Sequence, residues 1–121
     1  MVTGVDKYEF KLKIDEMKAL VSARNYQAAA EIAETVNWRK IRNLNALVLA
    51  GEVFEQVGRY EESKEILLMA YDKSPIGRNI IYRLAEIAIR TQRIDEAQEY
   101  YDEFVDIAPH DNLKYVLKYK M

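Results

Sequence analysis

Gly58-Arg59-Tyr60-Glu61-Glu62-Ser63 stands near the middle of the chain and has a counterpart 34 residues to either side. Upstream it lines up with Arg24-Asn25-Tyr26-Gln27-Ala28-Ala29, downstream with Gln92-Arg93-Ile94-Asp95-Glu96-Ala97. Two equal intervals without a gap are foreign to an ordinary helix bundle, whose loop lengths drift independently. The two prolines keep the same interval, Pro75 to Pro109. Each hexapeptide reads as a turn that ends one helix and begins another, and each proline closes the second helix of its pair.

Between these marks the apolar residues follow a helical period. Leu47, Ala50, Gly51 and Phe54 recur at spacings of three and four and fall on one stripe, and Ser63, Ile66, Leu67 and Ala70 do the same after the turn. The stripes face each other across an αα-hairpin, and the small Ala50, Gly51 and Ser63 let the axes approach closely. Glycine inside a helix costs up to about 1 kcal/mol against alanine, so Gly51 is expected where a side chain would collide. Asp6, with Glu9 three residues on, reads as the cap of a first helix reaching about residue 23. Further helices are expected over 26–36, 41–57, 60–73, 77–91 and 94–107, followed by an amphipathic piece with Leu113, Val116 and Leu117 on one face. That piece stops at Met121 without a terminator. It reads as a fourth repeat cut through its first helix in preference to a solvating end helix, because end repeats carry a polar outer face.

Composition agrees with a helical chain and narrows the function classes. With 121 residues there is material for one domain, which hides about two thirds of the surface its unfolded chain exposes. Four glycines and two prolines are too few for a β-rich domain. Apolar runs are only a handful of residues, as in Ala46 to Ala50, well short of a bilayer span, and residues 1–10 lack the pattern of a secretory signal, so a cytoplasmic location is expected. The absence of cysteine removes disulfides, thiolate catalysis and cysteine metal sites. A net charge of −2 advertises neither nucleic acid nor an anionic membrane as partner.

Catalytic constellations are not found. His110, the single histidine, follows Pro109 with Asp111 beside it, too few convergent groups for a metal or a general base. Glu61-Glu62, Asp95-Glu96 and Asp102-Glu103 lie by turns or on outer faces and read as solvated charges. Gly4, Gly51, Gly58 and Gly77 are too scattered to cradle a phosphate. No enzyme, cofactor or metal is therefore expected. Trp38-Arg39-Lys40-Ile41-Arg42 joins an aromatic ring to three cations, but neither later junction repeats it, as an RNA groove would require. Trp38 is instead expected to plug a junction that lacks proline, with the cations outward.

The same residues resemble the tetratricopeptide repeat family, whose pattern runs W-x2-L-G-x2-Y, then A-x3-F, then P. The middle unit offers Leu47, Ala50, Gly51 and Phe54, then Ser63 and Leu67, then Pro75; the third offers Ile81, Leu84, Ala85 and Ala88, then Ala97 and Tyr101, then Pro109. The first is degenerate, with Lys13, Glu16, Met17 and Leu20, then Ala29 and Ala33, and Ile41 in place of proline, as suits a cap. The resemblance implies an all-α, right-handed superhelical stack of antiparallel helix hairpins. One domain over 1–121 would hold repeats at 10–43, 44–77 and 78–111 with a trailing helix at 112–121.

In that family the inner side of the stack holds extended peptides or partner segments. A stripe one residue ahead of each core stripe, about 100° around the axis, is expected to face it. It comprises Lys11, Ile14, Lys18 and Val21; then Asn45, Val48, Glu52 and Glu55; then Asn79, Tyr82, Arg83, Glu86 and Arg90. Cations at both ends and carboxylates between them suit a segment with acidic and basic groups of its own, and Asn45 and Asn79 suit its backbone. The family's clamp for a terminal carboxylate is not matched, since Ile14 and Leu49 replace a cation and an amide, Lys18 replaces an amide, and Arg83 alone fits. The expected function is a non-catalytic scaffold that binds a protein or peptide partner. The alternatives are self-assembly into a homo-oligomer through exposed apolar ends around Leu113, Val116 and Tyr119, or an accessory role in a larger protein.

Overall fold

A computed structural model describes residues 4–121. Among them seven α-helices and one 3-10 turn follow one another with no strand: α1 (Gly4–Ser22), α2 (Tyr26–Ala33), the 3-10 turn (Trp38–Lys40), α3 (Leu44–Gln56), α4 (Tyr60–Lys73), α5 (Arg78–Arg90), α6 (Ile94–Ile107) and α7 (Leu113–Lys120). Helices α1 and α2, α3 and α4, and α5 and α6 pack as hairpins, and α2 meets α3 as α4 meets α5. The architecture is the all-α solenoid expected from the repeat.

The three hexapeptides make the same turn. Arg24, Gly58 and Gln92 all adopt left-handed backbone, with φ of 60°, 82° and 60°. This conformation lets the next amide reach back across the end of the helix. Asn25 N–H donates to Leu20, Arg59 N–H to Phe54 and Arg93 N–H to Ala88, each at 2.8 Å. Carbonyls that a helix end would otherwise leave orphaned are thereby satisfied.

Within the middle hairpin the small residues set the axis separation. The Ser63 hydroxyl, fully buried, donates to the Gly51 carbonyl at 2.6 Å. A Cβ on Gly51 would lie 2.6 Å from Leu67 Cδ2 and 2.7 Å from its Cγ, so the expected collision is present. Leu47, Leu67, Val53 and Phe54 fill the space around this contact. Each such side chain contributes roughly 1.5–3 kcal/mol by leaving water. A second cluster, of Ile81, Ala85, Phe104, Ala108 and Leu117, joins the third hairpin to α7.

Three expectations need correction. Asp6 is not a cap, because the backbone is already helical from Gly4. Helix α2 ends at Ala33 rather than near residue 36, since the Ala33 carbonyl accepts the Trp38 indole N–H at 2.9 Å. Helix α3 begins at Leu44 rather than near residue 41: Ile41 is extended, and the Asn43 side chain caps the helix by accepting from Ala46 N–H at 3.0 Å. On α7 Leu117 of the apolar stripe is fully buried, while Leu113 and Val116 are exposed, as expected of an apolar end. Trp38 does plug the first junction, buried and edge-on to Phe10 at 6.3 Å, with Arg39 and Lys40 exposed.

Several acidic residues expected to be free are in fact used as staples. Glu61 pairs with Arg93 at 2.9 Å, Glu96 with Lys64 at 2.8 Å, and Glu103 accepts the Tyr71 hydroxyl at 2.5 Å. All three tie α4 or the turn before α6 to the neighbouring hairpin at one register. Glu62 is held by Arg59, which also reaches Glu34 at 2.9 Å and lies over the Phe54 ring. The hydrogen bond to Glu103 pushes the Tyr71 phenol up to about 12.

Candidate concave interface

Helices α1, α3, α5 and α7 touch in series and form one wall of the stack. The stripes expected to face inward lie on the first three of these helices. Of the ten polar candidates, Lys11, Lys18, Asn45, Asn79 and Arg90 are exposed, Glu52, Tyr82, Arg83 and Glu86 are half-buried, and Glu55 is buried at 2% exposure.

The structure brings the acidic and basic candidates of α3 and α5 together. Arg83 lies 3.4 Å from Glu52 and 3.6 Å from Glu55, and Arg90 approaches Glu55 at 3.6 Å. Lys120, from the last turn of α7, closes on Glu86 at 2.5 Å. Tyr82 packs against Phe104 as a tilted pair with centroids 6.0 Å apart, which half-buries its ring. Charges expected to await a partner are therefore largely neutralised within the protein.

Glu55 is the electrostatic centre of this half. It is the penultimate residue of α3, and its Oε1 makes no hydrogen bond among the described residues. Burial pushes its carboxyl above the ordinary value, Glu86 adds to the rise, Arg83 and Arg90 oppose it, and Glu52 adds a smaller increment. The Arg90 guanidinium is held above its usual range, first by its hydrogen bond with Tyr60. The Lys120 ammonium is raised by its bond to Glu86. Burial, and then the Glu86 charge, raise the Tyr82 phenol.

The α1 side of the wall is different. Phe10, Ile14 and Ala46 floor a cleft of about 280 Å³ between α1 and α3, rimmed by Lys11, Asp15, Lys18, Asn43 and Asn45. Lys11 pairs with Asp15 one turn on at 3.1 Å, both exposed. Lys18 forms no ion pair among the described residues and projects from the surface. Sequence reasoning missed Phe10, Asn43 and Lys120 as parts of this face. Asn43 was readable as a cap before an apolar run, whereas Phe10 and Lys120 become visible only once the stack is built.

No group of acidic or histidine side chains able to hold a metal occurs among the described residues, and His110 is exposed in its turn. None of the described helices is long and apolar enough to cross a membrane.

Residues 79–111 match a sequence family model described as tetratricopeptide repeat. Among solved structures the chain is similar to PcrH, in a crystal structure of PcrH in complex with the chaperone binding region of PopD. The TM-score is 0.76 at 12% identity, over 99% of this chain and 90% of that one, a likeness of fold. No curated protein matches the chain.

Proposed function

We propose that the chain, whose residues 79–111 match the tetratricopeptide repeat model, is a non-catalytic protein-interaction scaffold holding an extended partner segment along its concave face. Repeats are counted at 10–43, 44–77 and 78–111, with a trailing helix at 112–121. One observation carries the reading: α1, α3 and α5 form a continuous wall on which Lys11, Lys18, Asn45 and Asn79 remain open to solvent above a packed core. A surface fixed before binding loses little freedom when a segment docks, which favours affinity. The structural neighbour PcrH, solved with a region of PopD, supports a peptide-like occupant for such a stack. We place the protein in the cytoplasm on the same reading.

The test is a peptide selected from a random display library, titrated into isotopically labelled protein and followed by NMR. Amide shifts are expected on α1, α3 and α5. Shifts confined to α2, α4 and α6 would refute the concave placement.

A second reading, self-assembly, is favoured by the α7 surface, where Tyr119 is 91% and Tyr115 63% exposed beside Leu113 and Val116. Light scattering over a concentration series decides it, since a mass fixed at one chain removes the reading.

A further inference from the structure

We infer that the partner is read chiefly in the cleft between α1 and α3, and that this cleft takes an extended segment bearing a carboxylate close to an apolar side chain. The inference rests on the concave placement proposed above and narrows it.

The C-terminal half of the wall is already occupied by the protein's own pairs. Arg83 lies between Glu52 and Glu55, Arg90 also faces Glu55, and Lys120 covers Glu86. A charged group from a partner has to displace one of these cations, leaving the buried Glu55 short of countercharge. The mixed charge pattern of α3 and α5 is thus an internal brace. It does not call for a partner with matching cations.

The α1 side has the opposite character. Its floor of Phe10, Ile14 and Ala46 is apolar, and its rim carries Lys11, Lys18 and Asn45. Lys11 spends its charge on an exposed pair with Asp15, a contact of small worth that a stronger carboxylate displaces readily. Lys18 is unpaired among the described residues. Two cations against one anion, beside a desolvated floor, attract a carboxylate and repel a lysine or arginine. In an extended segment alternate side chains point the same way about 7 Å apart, so one apolar side chain enters the cleft while its acidic neighbour two residues on meets Lys18. The Asn45 amide, which both donates and accepts, faces the backbone between them.

The experiment uses the intact chain and a library of random dodecapeptides displayed on phage, followed by fluorescence anisotropy with the peptide most enriched. Enriched peptides are expected to combine aspartate or glutamate with an aliphatic or aromatic residue two positions away. Lys18→Glu should weaken that peptide by about tenfold or more, Lys18→Arg should retain it, and Asn79→Ala, at the far end of the wall, should cost several times less than Lys18→Glu. Lys11→Glu gives a second variant of the same rim, and melting curves establish that all are folded. Peptides rich in lysine and arginine, or binding that survives Lys18→Glu and falls with Asn79→Ala, overturn the cleft assignment while leaving the concave placement intact. No enrichment, or binding indifferent to changes in both halves, overturns the concave placement and the cleft together.

Discussion

Gly58 and Gln92 hold the same left-handed backbone, at φ of 82° and 60°, at the same point of two successive hairpins. Only the glycine does so without a steric penalty, because a Cβ in this region crowds the following carbonyl by roughly 1–2 kcal/mol. Nothing lies within 4 Å of a Cβ placed on Gly58, so a substitution there is opposed by the backbone alone. Gly58→Ala is expected to lower stability by about 1 kcal/mol, and Gln92→Gly or Arg24→Gly to raise it by about half to one. Urea unfolding checks all three, and a Gln92→Gly variant less stable than the parent would contradict the account.

Gly51→Ala poses helix propensity against packing. Alanine gains up to about 1 kcal/mol in a helix interior. Its Cβ, however, would meet Leu67 at both Cδ2 and Cγ, and Leu67 is fully buried with little room to retreat. Overpacking of this kind costs about 1–3 kcal/mol, so a net loss of about 1 is expected. In a double-mutant cycle the loss should shrink when Leu67 is also cut to alanine. A stabilised single variant would mean that Leu67 rotates away freely.

How much of this could be read from sequence depends on whether the information was local. The repeat was, because each turn is marked on the spot by Gly58, Pro75 or Pro109 and the interval is constant. Helices over 60–73 and 94–107 match the structure at both ends for that reason. The junction at Trp38 was not, since the indole takes the Ala33 carbonyl and shortens α2 through a contact between elements. The wall of α1, α3 and α5 was half legible: helical geometry leaves Lys18, Asn45 and Asn79 exposed on these helices, as the structure has them. What periodicity does not reveal is that Arg83 and Arg90, brought in from the next hairpin, close over Glu55.

Glu55 gives the protein a pH dependence of definite sign. Its folded carboxyl titrates above the ordinary 4.5, raised first by burial and then by Glu86, against Arg83 and Arg90. A carboxyl raised on folding binds its proton more tightly in the folded state. Its contribution is therefore full below the unfolded value and is lost as pH rises through the folded one. Glu55→Gln removes this loss. The melting temperature of the variant, measured relative to the parent, is expected to climb as pH goes from about 4 to 7. Residues such as Glu62, whose carboxyl is lowered by Arg59 and which act in the opposite sense, are common to both proteins and cancel in the difference. A difference that falls over the same range would show that the two arginines outweigh burial at Glu55.

Arg83 and Lys18 separate bracing from recognition on one face. Sequence alone puts Arg83 on the stripe expected to meet a partner. In the structure Arg83 faces Glu52 and Glu55, so reversing its charge sets a second carboxylate, beside Glu52, against the buried Glu55. Because Arg83 is itself partly exposed, solvent tempers the penalty, and a loss of about 1–3 kcal/mol is expected rather than the full cost of a broken buried pair. Lys18→Glu, on exposed surface, should shift stability by less than about 0.5 kcal/mol. Thermal melts of the two variants side by side test this. If Arg83→Glu melted with the parent, the cluster around Glu55 would not be a brace, and Arg83 would return to the set of groups open to a partner.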